Sequence, residues 1–358
     1  IIKMSTKLNL SLFLFFCLCL LGSCVQDRED VLLSQFTVSE FLSAGNMCTI
    51  NEDSLALVEG MICDDENLIV YDFHSGSCYT LFDKDSGRYI TRFGTIGQGP
   101  AEIPSPCLGY LSEKCFSVFS DQSRMIMQYN IDSLRSHSSS SSASCLVKYN
   151  IPDAQLSRII PINDGLFIGA GTYKSRYQYV LFDKHDKVLS YGVDIYNSSD
   201  ETFNVYTKFL SNQGVLVMHP NKKLFAYSLN FSSNMDFFQV KNEKIQLIKS
   251  LRLGNPDYYS AVEGNMFSAD LTEESIIGYI DVSATSDGIY ALYSDGKAYE
   301  SGRRSNVVLA FDWEGNPVKK YILDTDVYYI TVDEEHKKIF AAVKDASNYG
   351  WSIKVYPF

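Results

Sequence analysis

Six strands of one kind recur down this chain, and their spacing restricts the architecture more than any other feature. They begin near Leu68, Phe116, Leu166, Leu224, Ile289 and Ile339, in steps of 48, 50, 58, 65 and 50 residues. Each is a run of β-branched and aromatic residues between turn residues, as in LIVYDF (68–73) and CFSVFSD (115–121), which is the pattern of a buried strand. Three stretches then share a second pattern: LFDKDSGRYITRFG (81–94), LFDKHDKVLSYG (181–192) and AFDWEGNPVKKYIL (310–323). Each reads as a strand ending Phe-Asp, a polar turn and a returning strand. No long segment carries an apolar period of about 3.6 residues, so the fold class is all-β.

A repeat near 50 residues is the size of one four-stranded blade, and six starts predict a six-bladed β-propeller with four-stranded antiparallel blades. A blade has two apolar faces and cannot bury both alone; stacking blades around a ring buries them. The 24 Tyr and 22 Phe suit that packing, since aromatic rings give large contact area between sheets. Sugar stacking is their alternative use. The last strand, WSIKVYPF (351–358), is expected in the sixth blade, with residues 32–57 adding the strand that closes the ring. The segment 255–274 is expected as a long connection containing a short helix. His137 and the serine run 138–144 are expected to form a surface insertion in blade two.

Between the first two blades runs Arg92 to Gly109, RFGTIGQGPAEIPSPCLG. Glycine and proline end strand pairing here, so the stretch reads as a crossover. Gly94, Gly97, Gly99, Pro100 and Glu102 are its structural residues, with Gly97 and Gly99 expected at backbone angles poorly open to other residues and Glu102 expected to accept backbone N–H bonds. The stretch resembles the FG-x-x-G-x-GP linker of NHL-type repeats. More closely, its G-x-GP-x-E resembles the linker of the TolB-like six-bladed propeller family of bacterial lipoproteins. Ala101 stands where that linker commonly has Gly. The resemblance implies a propeller on the cell envelope and no particular activity.

The N-terminus supports the same address. Lys3 and Lys7 precede an apolar run from Leu8 to Leu21, too short for a spanning helix and typical of a secretion signal. It ends Leu21-Gly22-Ser23-Cys24, which resembles a lipobox and implies acylation of Cys24. The expected organisation is a lipoprotein signal peptide (1–23), a tether (24–35) and one propeller domain (36–358). Asp27, Glu29 and Asp30 behind the cysteine resemble a surface-export tag. The expected location is the outer membrane, facing the periplasm or the cell surface, with membrane contact only through the lipid.

Formal net charge is −12; removing 1–23 takes away two lysines and no acid, leaving −14. That balance argues against nucleic acid, whose phosphates need clustered Lys and Arg. Six cysteines remain after Cys17, Cys19 and Cys24: Cys48, Cys63, Cys78, Cys107, Cys115 and Cys145. A domain this large stands on its own core, and one or two disulfides at most are expected.

Reaction chemistry is not legible. There is no G-x-S-x-G elbow, and the five histidines (74, 137, 185, 219, 336) have no metal-ligand spacing. Asp83-Lys84-Asp85-Ser86-Gly87 lacks the later acids of a calcium loop and reads as a capped turn. His74, Asp121, Asp287 and Asp295 stand near strand ends and are the candidates for the channel. Asp53-Ser54-Leu55 and Asp132-Ser133-Leu134 resemble short O-glycosylation acceptors. The function expected is a monomeric, lipid-anchored binding module for an envelope protein, peptide or glycan, with no cofactor. The alternative is a metal-dependent, lactonase-like hydrolase or lyase with its site in the central channel.

Overall fold

Strand after strand, the chain alternates direction and builds its blades from the axis outward. The structure, a computed structural model, describes residues 31–45, 50, 55–99, 102–112, 115–120, 122–136, 151–163, 165–174, 176–194, 205–221, 223–254, 256–263, 266–346 and 349–358. Cys24, Cys48, Pro100, Asp121, Cys145, the Asp53-Ser54 pair and the stretch 137–150 lie outside them. Ile1–Phe36 is a separate compact unit, whose described part contains a 3-10 turn at Leu33–Gln35. Thr37–Phe358 forms the other unit.

That second unit begins with β1 (Ser39–Leu42), followed by six blades. Blade one is β2 (Val58–Cys63), β3 (Asn67–His74), β4 (Ser77–Asp83) and β5 (Tyr89–Thr95). The described part of blade two is β6 (Tyr110–Ser112), β7 (Cys115–Ser120) and β8 (Met125–Asn130), then a helix at Ile131–Ser136. Blade three is β9 (Gln155–Asn163), β10 (Leu166–Tyr173), β11 (Tyr177–Asp183) and β12 (Val188–Asp194). A helix at Val205–Ser211 leads to blade four: β13 (Gly214–Met218), β14 (Leu224–Leu229), β15 (Met235–Lys241) and β16 (Lys244–Leu251). A separate hairpin follows, β17 (Tyr258–Glu263) and β18 (Met266–Leu271).

Blade five is β19 (Tyr279–Ala284), β20 (Ile289–Tyr293), β21 (Ser305–Phe311) and β22 (Pro317–Val327), with a helical turn at Ala298–Ser301. Blade six, among the described residues, is β23 (Tyr329–Asp333), β24 (Lys338–Lys344) and β25 (Trp351–Pro357). All six recurring apolar runs are second strands of blades, and they are buried along most of their length. A second strand has paired neighbours and packed blades on every side, which explains its unbroken apolar character.

First strands touch in ring order from β9 through β13, β19 and β23 to β2 and β6, and β9 meets blade two through β7. Apolar clusters fill the gaps between blades: Phe93 with Phe116 between one and two, Tyr179 with Phe225 and Tyr227 between three and four, Leu292 with Ile339 between five and six, and Val70 with Phe340 and Trp351 across the closure. Tyrosine hydroxyls then bond across the joints. Tyr79 donates to Cys107 O at 2.5 Å, Tyr179 to Asp236 at 2.7 Å and Tyr290 to Glu334 at 2.9 Å. Each ring buries apolar area while its polar tip stays satisfied.

Two expectations need correcting. The N-terminal strand does not extend blade six: β1 pairs in parallel with β22, from Ser39 opposite Lys320 to Leu42 opposite Leu323, and widens blade five to five strands. Gly45 does reach blade six, its N–H donating to Val355 O at 2.8 Å. The 11-residue β22 offers the longer outer edge, and Asp324 secures the arrangement by accepting Ala44 N–H and Tyr356 OH. Second, the segment 255–274 is a β-hairpin and contains no helix among the described residues. The blades are mostly four-stranded antiparallel sheets, as expected; among the described residues, blades two and six show three strands each.

The ring therefore closes by side chains between the first and last blades. Lys84, at 1% exposure, bonds Asp333 at 2.5 Å, and the Cys63 N–H donates to Thr331 Oγ1 at 3.1 Å.

Candidate functional site

Alternating strand direction sorts the loops. Connections from second to third strand, and from the outer strand of one blade to the next blade, share one end of the ring. Hydrogen bonds tie the two kinds together there: Ile96 N–H to Gly76 O, Asn230 N–H to Gln213 O and Ser294 N–H to Gly278 O. This end, the crossover face, also carries the helix Val205–Ser211, the hairpin β17–β18 and the helical turn Ala298–Ser301. The opposite end carries tight turns and the helix Ile131–Ser136, which reaches Asp83 through Arg135 at 3.1 Å.

The additions brace one another. Thr207 Oγ1 donates to Ser268 O at 3.4 Å, Tyr299 OH to Leu271 O at 2.9 Å, and Ala298 N–H to Ser275 O at 2.8 Å. Their root is a buried polar network. Asp236 accepts Tyr179 OH and, at 2.6 and 2.7 Å, the Arg252 guanidinium, while Asn234 accepts the N–H groups of Leu253 and Gly254. Tyr259, Tyr299 and Tyr349 nevertheless stay 52%, 67% and 71% exposed. Exposed rings held on braced supports are what a recognition surface needs.

At the start of this face lies the crossover between blades one and two. Gly94 has φ +73°, and a Cβ there would meet the Tyr79 ring at 2.6 Å. Gly97 and Gly99 are not at positive φ, which corrects the expectation of strained angles. Their reason is space: the Glu102 side chain lies over both, and its Oε2 accepts Gly99 N–H at 2.8 Å. Ile96 and Ile103 then bridge in parallel, and Tyr71 OH donates to Pro106 O at 2.6 Å.

Near the axis, first strands bring together residues far apart in sequence. Glu59 Oε2 accepts Tyr329 OH at 3.0 Å, joining blades one and six. Asp281 accepts Val282 N–H and Ile330 N–H, both at 2.9 Å, joining five and six. Burial pushes the Asp281 carboxyl up to about 7, against the pull of those amides and of Arg303 and Arg158. Arg158, on β9, donates to Ser157 O at 2.8 Å. Ser283 accepts Val332 N–H at 3.0 Å, so inner strand edges are satisfied by side chains of the preceding blade. Glu59, Arg158, Asp281 and Tyr329 escaped the sequence reading, because no local spacing relates them.

The residues singled out from sequence do not assemble. His74 Nδ1 bonds its neighbour Ser75, Asp287 lies on the end opposite the crossover face, and Asp295 sits in the loop before the Ala298–Ser301 turn. Among the described residues, no three His, Cys, Asp or Glu side chains are placed to hold a metal ion. Asp83 caps its turn by accepting Ser86 N–H and Oγ–H; in the equivalent hairpins Asp183 accepts the N–H groups of His185 and Lys187, and Asp312 that of Asn316. Those bonds from Ser86 hold the Asp83 carboxyl below its ordinary range. Ser133 lies within the helix Ile131–Ser136. Cys63 and Cys78 are thiols. Among the described residues, no helix is long and apolar enough to cross a membrane.

A solved structure shares this fold. A Bacteroides fragilis protein described as exported aligns over 89% of this chain and 98% of its own, at 13% identity and a TM-score of 0.51. A Bacteroides vulgatus member of the DUF4221 family aligns over 88% and 97%, at 9% identity and a TM-score of 0.47. No curated protein matches the sequence. The family model described as TolB-like 6-blade propeller-like matches residues 60–335, well over half of the chain. With six blades in ring order and the glycine-rich crossover between the first two, the chain belongs to the TolB-like six-bladed propeller family.

Proposed function

We propose that the chain is an exported, lipid-anchored binding module that engages an envelope protein, peptide or glycan with its crossover face. The observation that carries this reading is the concentration of mutually braced additions, with Tyr259, Tyr299 and Tyr349 exposed, on that one end. Rigid supports with exposed aromatic rings bind at low entropic cost. Export and anchoring rest on Lys3, Lys7, the apolar run and Leu21-Gly22-Ser23-Cys24, and the exported Bacteroides fragilis protein of like fold is consistent with them. The outer membrane is the proposed site of anchoring, and a monomer is the proposed state.

The test is photo-crosslinking in cells. A photoreactive amino acid at Tyr299 should give a discrete adduct, and one at Val318, on the outer strand β22, should not. Adducts from position 318 alone would reject the crossover face.

A further inference from the structure

Blade three ends on the crossover face in a cluster of tyrosines. Tyr173 closes β10, Tyr177 opens β11 and Tyr191 lies near the end of β12, so the three come from adjacent strands. The Tyr191 ring stands 5.4 Å from that of Tyr173 and 4.4 Å from that of Tyr177, tilted by 51° and 45°. Tyr191 remains 41% exposed. Charged groups rim these rings. Lys174 Nζ lies over Tyr173 at 5.3 Å and over Tyr191 at 4.7 Å, and the Arg176 guanidinium lies over Tyr177 at 5.7 Å. Arg176 Nε also donates to Asp194 Oδ2.

Backbone strain brings Asp194 here. In a regular strand Tyr191 and Asp194, three positions apart, point to opposite faces. Val193 between them has φ +54°, a conformation that is rare for a β-branched residue. It breaks the alternation, and both side chains join one cluster. Asp194 engages one oxygen with Arg176; the other, Oδ1, is enclosed and accepts no hydrogen bond, where enclosed oxygens are normally paired.

Rings beside planar charged groups suit one chemistry. A pyranose has apolar C–H faces and hydroxyl edges: an aromatic ring covers the face, while a guanidinium and a carboxylate bond the edge in pairs. Two exposed cations, Lys174 and Arg176, face one acid in this cluster, in a chain of net charge −12, which favours a negatively charged sugar. Lysine is a point charge on a flexible stem, and its contact with an exposed ring is weak. Lys174 can therefore leave the wedge between Tyr173 and Tyr191 for a ligand carboxylate and open both rings.

We propose that this cluster binds a uronic acid residue of a glycan, with the sugar ring on Tyr191, its hydroxyls on Arg176 and Asp194, and its carboxylate on Lys174. The assignment rests on the crossover face being the binding face; it names a glycan as the ligand and blade three as its place.

The experiment is calorimetry and thermal unfolding of the mature chain with trigalacturonate, its methyl ester, a hyaluronan oligosaccharide and tetraglutamate. Trigalacturonate or the hyaluronan oligosaccharide should bind saturably and raise the melting temperature. The neutral ester should bind more weakly than its acid, and tetraglutamate should not bind. Tyr191→Ala should weaken uronate binding roughly 10-fold or more, the scale of a lost aromatic anchor, and Tyr191→Phe should keep most of it. Should Tyr191→Ala fail to fold, Lys174→Gln, on an exposed side chain, must weaken the same ligand with Tm unchanged. Absence of binding by either uronate, equal binding by the ester or by tetraglutamate, or full affinity in a folded Tyr191→Ala would overturn the proposal. Crosslinks at position 299 that persist through such a failure would leave the binding face standing and remove only this site.

Discussion

Asp333→Ala should be among the most damaging single changes in this ring. Lys84 and Asp333 are 249 positions apart, and they meet where the last blade closes on the first. Both are buried, at 1% and 5% side-chain exposure, and the contact is 2.5 Å. Removing the carboxylate leaves an unpaired ammonium buried at the closure, the joint that also holds the apolar cluster of Val70, Phe340 and Trp351. Leaving one buried charge unpaired costs about 3–5 kcal/mol. The His336 N–H and ring, which also bond Asp333, add about 1 kcal/mol. Lys84→Met removes the ammonium instead and leaves Asp333 with its His336 partners, so it should cost less. The double variant Lys84→Met/Asp333→Leu should return to within about 1–2 kcal/mol of the parent, since apolar replacement of a whole buried pair is often neutral. Urea unfolding of the four proteins gives the coupling directly. A pH series adds a second check. Burial raises the Asp333 carboxyl, but the bond and charge of Lys84 with the His336 amide outweigh it and lower it overall. Its contribution is therefore full above the ordinary value of 3.8 and is lost as pH falls below it. Additive single costs, or an Asp333→Ala cost under about 1 kcal/mol, would refute the view that this pair holds the closure.

Further outcomes follow from other joints. Gly97→Ala should displace the Glu102 carboxylate from Gly99 N–H and cost about 1–3 kcal/mol in thermal unfolding, with little added by Glu102→Ala in the same chain. Asp281 binds its proton more tightly folded, near 7, than unfolded, near 3.8, so wild type should lose stability relative to Asp281→Asn as pH rises from 4 to 7, by roughly 2–5 kcal/mol. Cys78 is fully buried, donates to Gly94 O at 2.7 Å, and burial pushes its thiol up to about 12; it should resist alkylation at pH 8 until the chain is unfolded. Cys24→Ala should abolish fatty-acid labelling and release the protein from membrane fractions, and unchanged labelling would exclude the lipobox.

What the sequence revealed was whatever repeats under packing pressure. The run from Leu68 to Phe73 and its five counterparts are legible because a strand enclosed on all sides tolerates few polar residues. The Phe-Asp turns at Asp83, Asp183 and Asp312 are legible because one short acid caps backbone amides two to four residues on each time. The outer edge was harder. Ser-Glu-Phe-Leu (39–42) carries no period, and its partner was decided by the length of β22, a tertiary fact. The hairpin β17–β18 left a signal in the Gly264-Asn265 pair between two strand-like runs, which a helical reading of the segment overlooked. Illegible altogether were the contacts between first strands near the axis. Glu59 and Tyr329 are 270 positions apart, and only closing the ring makes them neighbours.

The most direct measurement of the central claim is hydrogen exchange on the mature chain, alone and with the partner identified by crosslinking. Binding on the crossover face should slow exchange in 95–109, 256–276 and 294–304 and leave the turns at 184–187, 242–243 and 312–316 unchanged. Protection of those turns, with the crossover face unaffected, would contradict it.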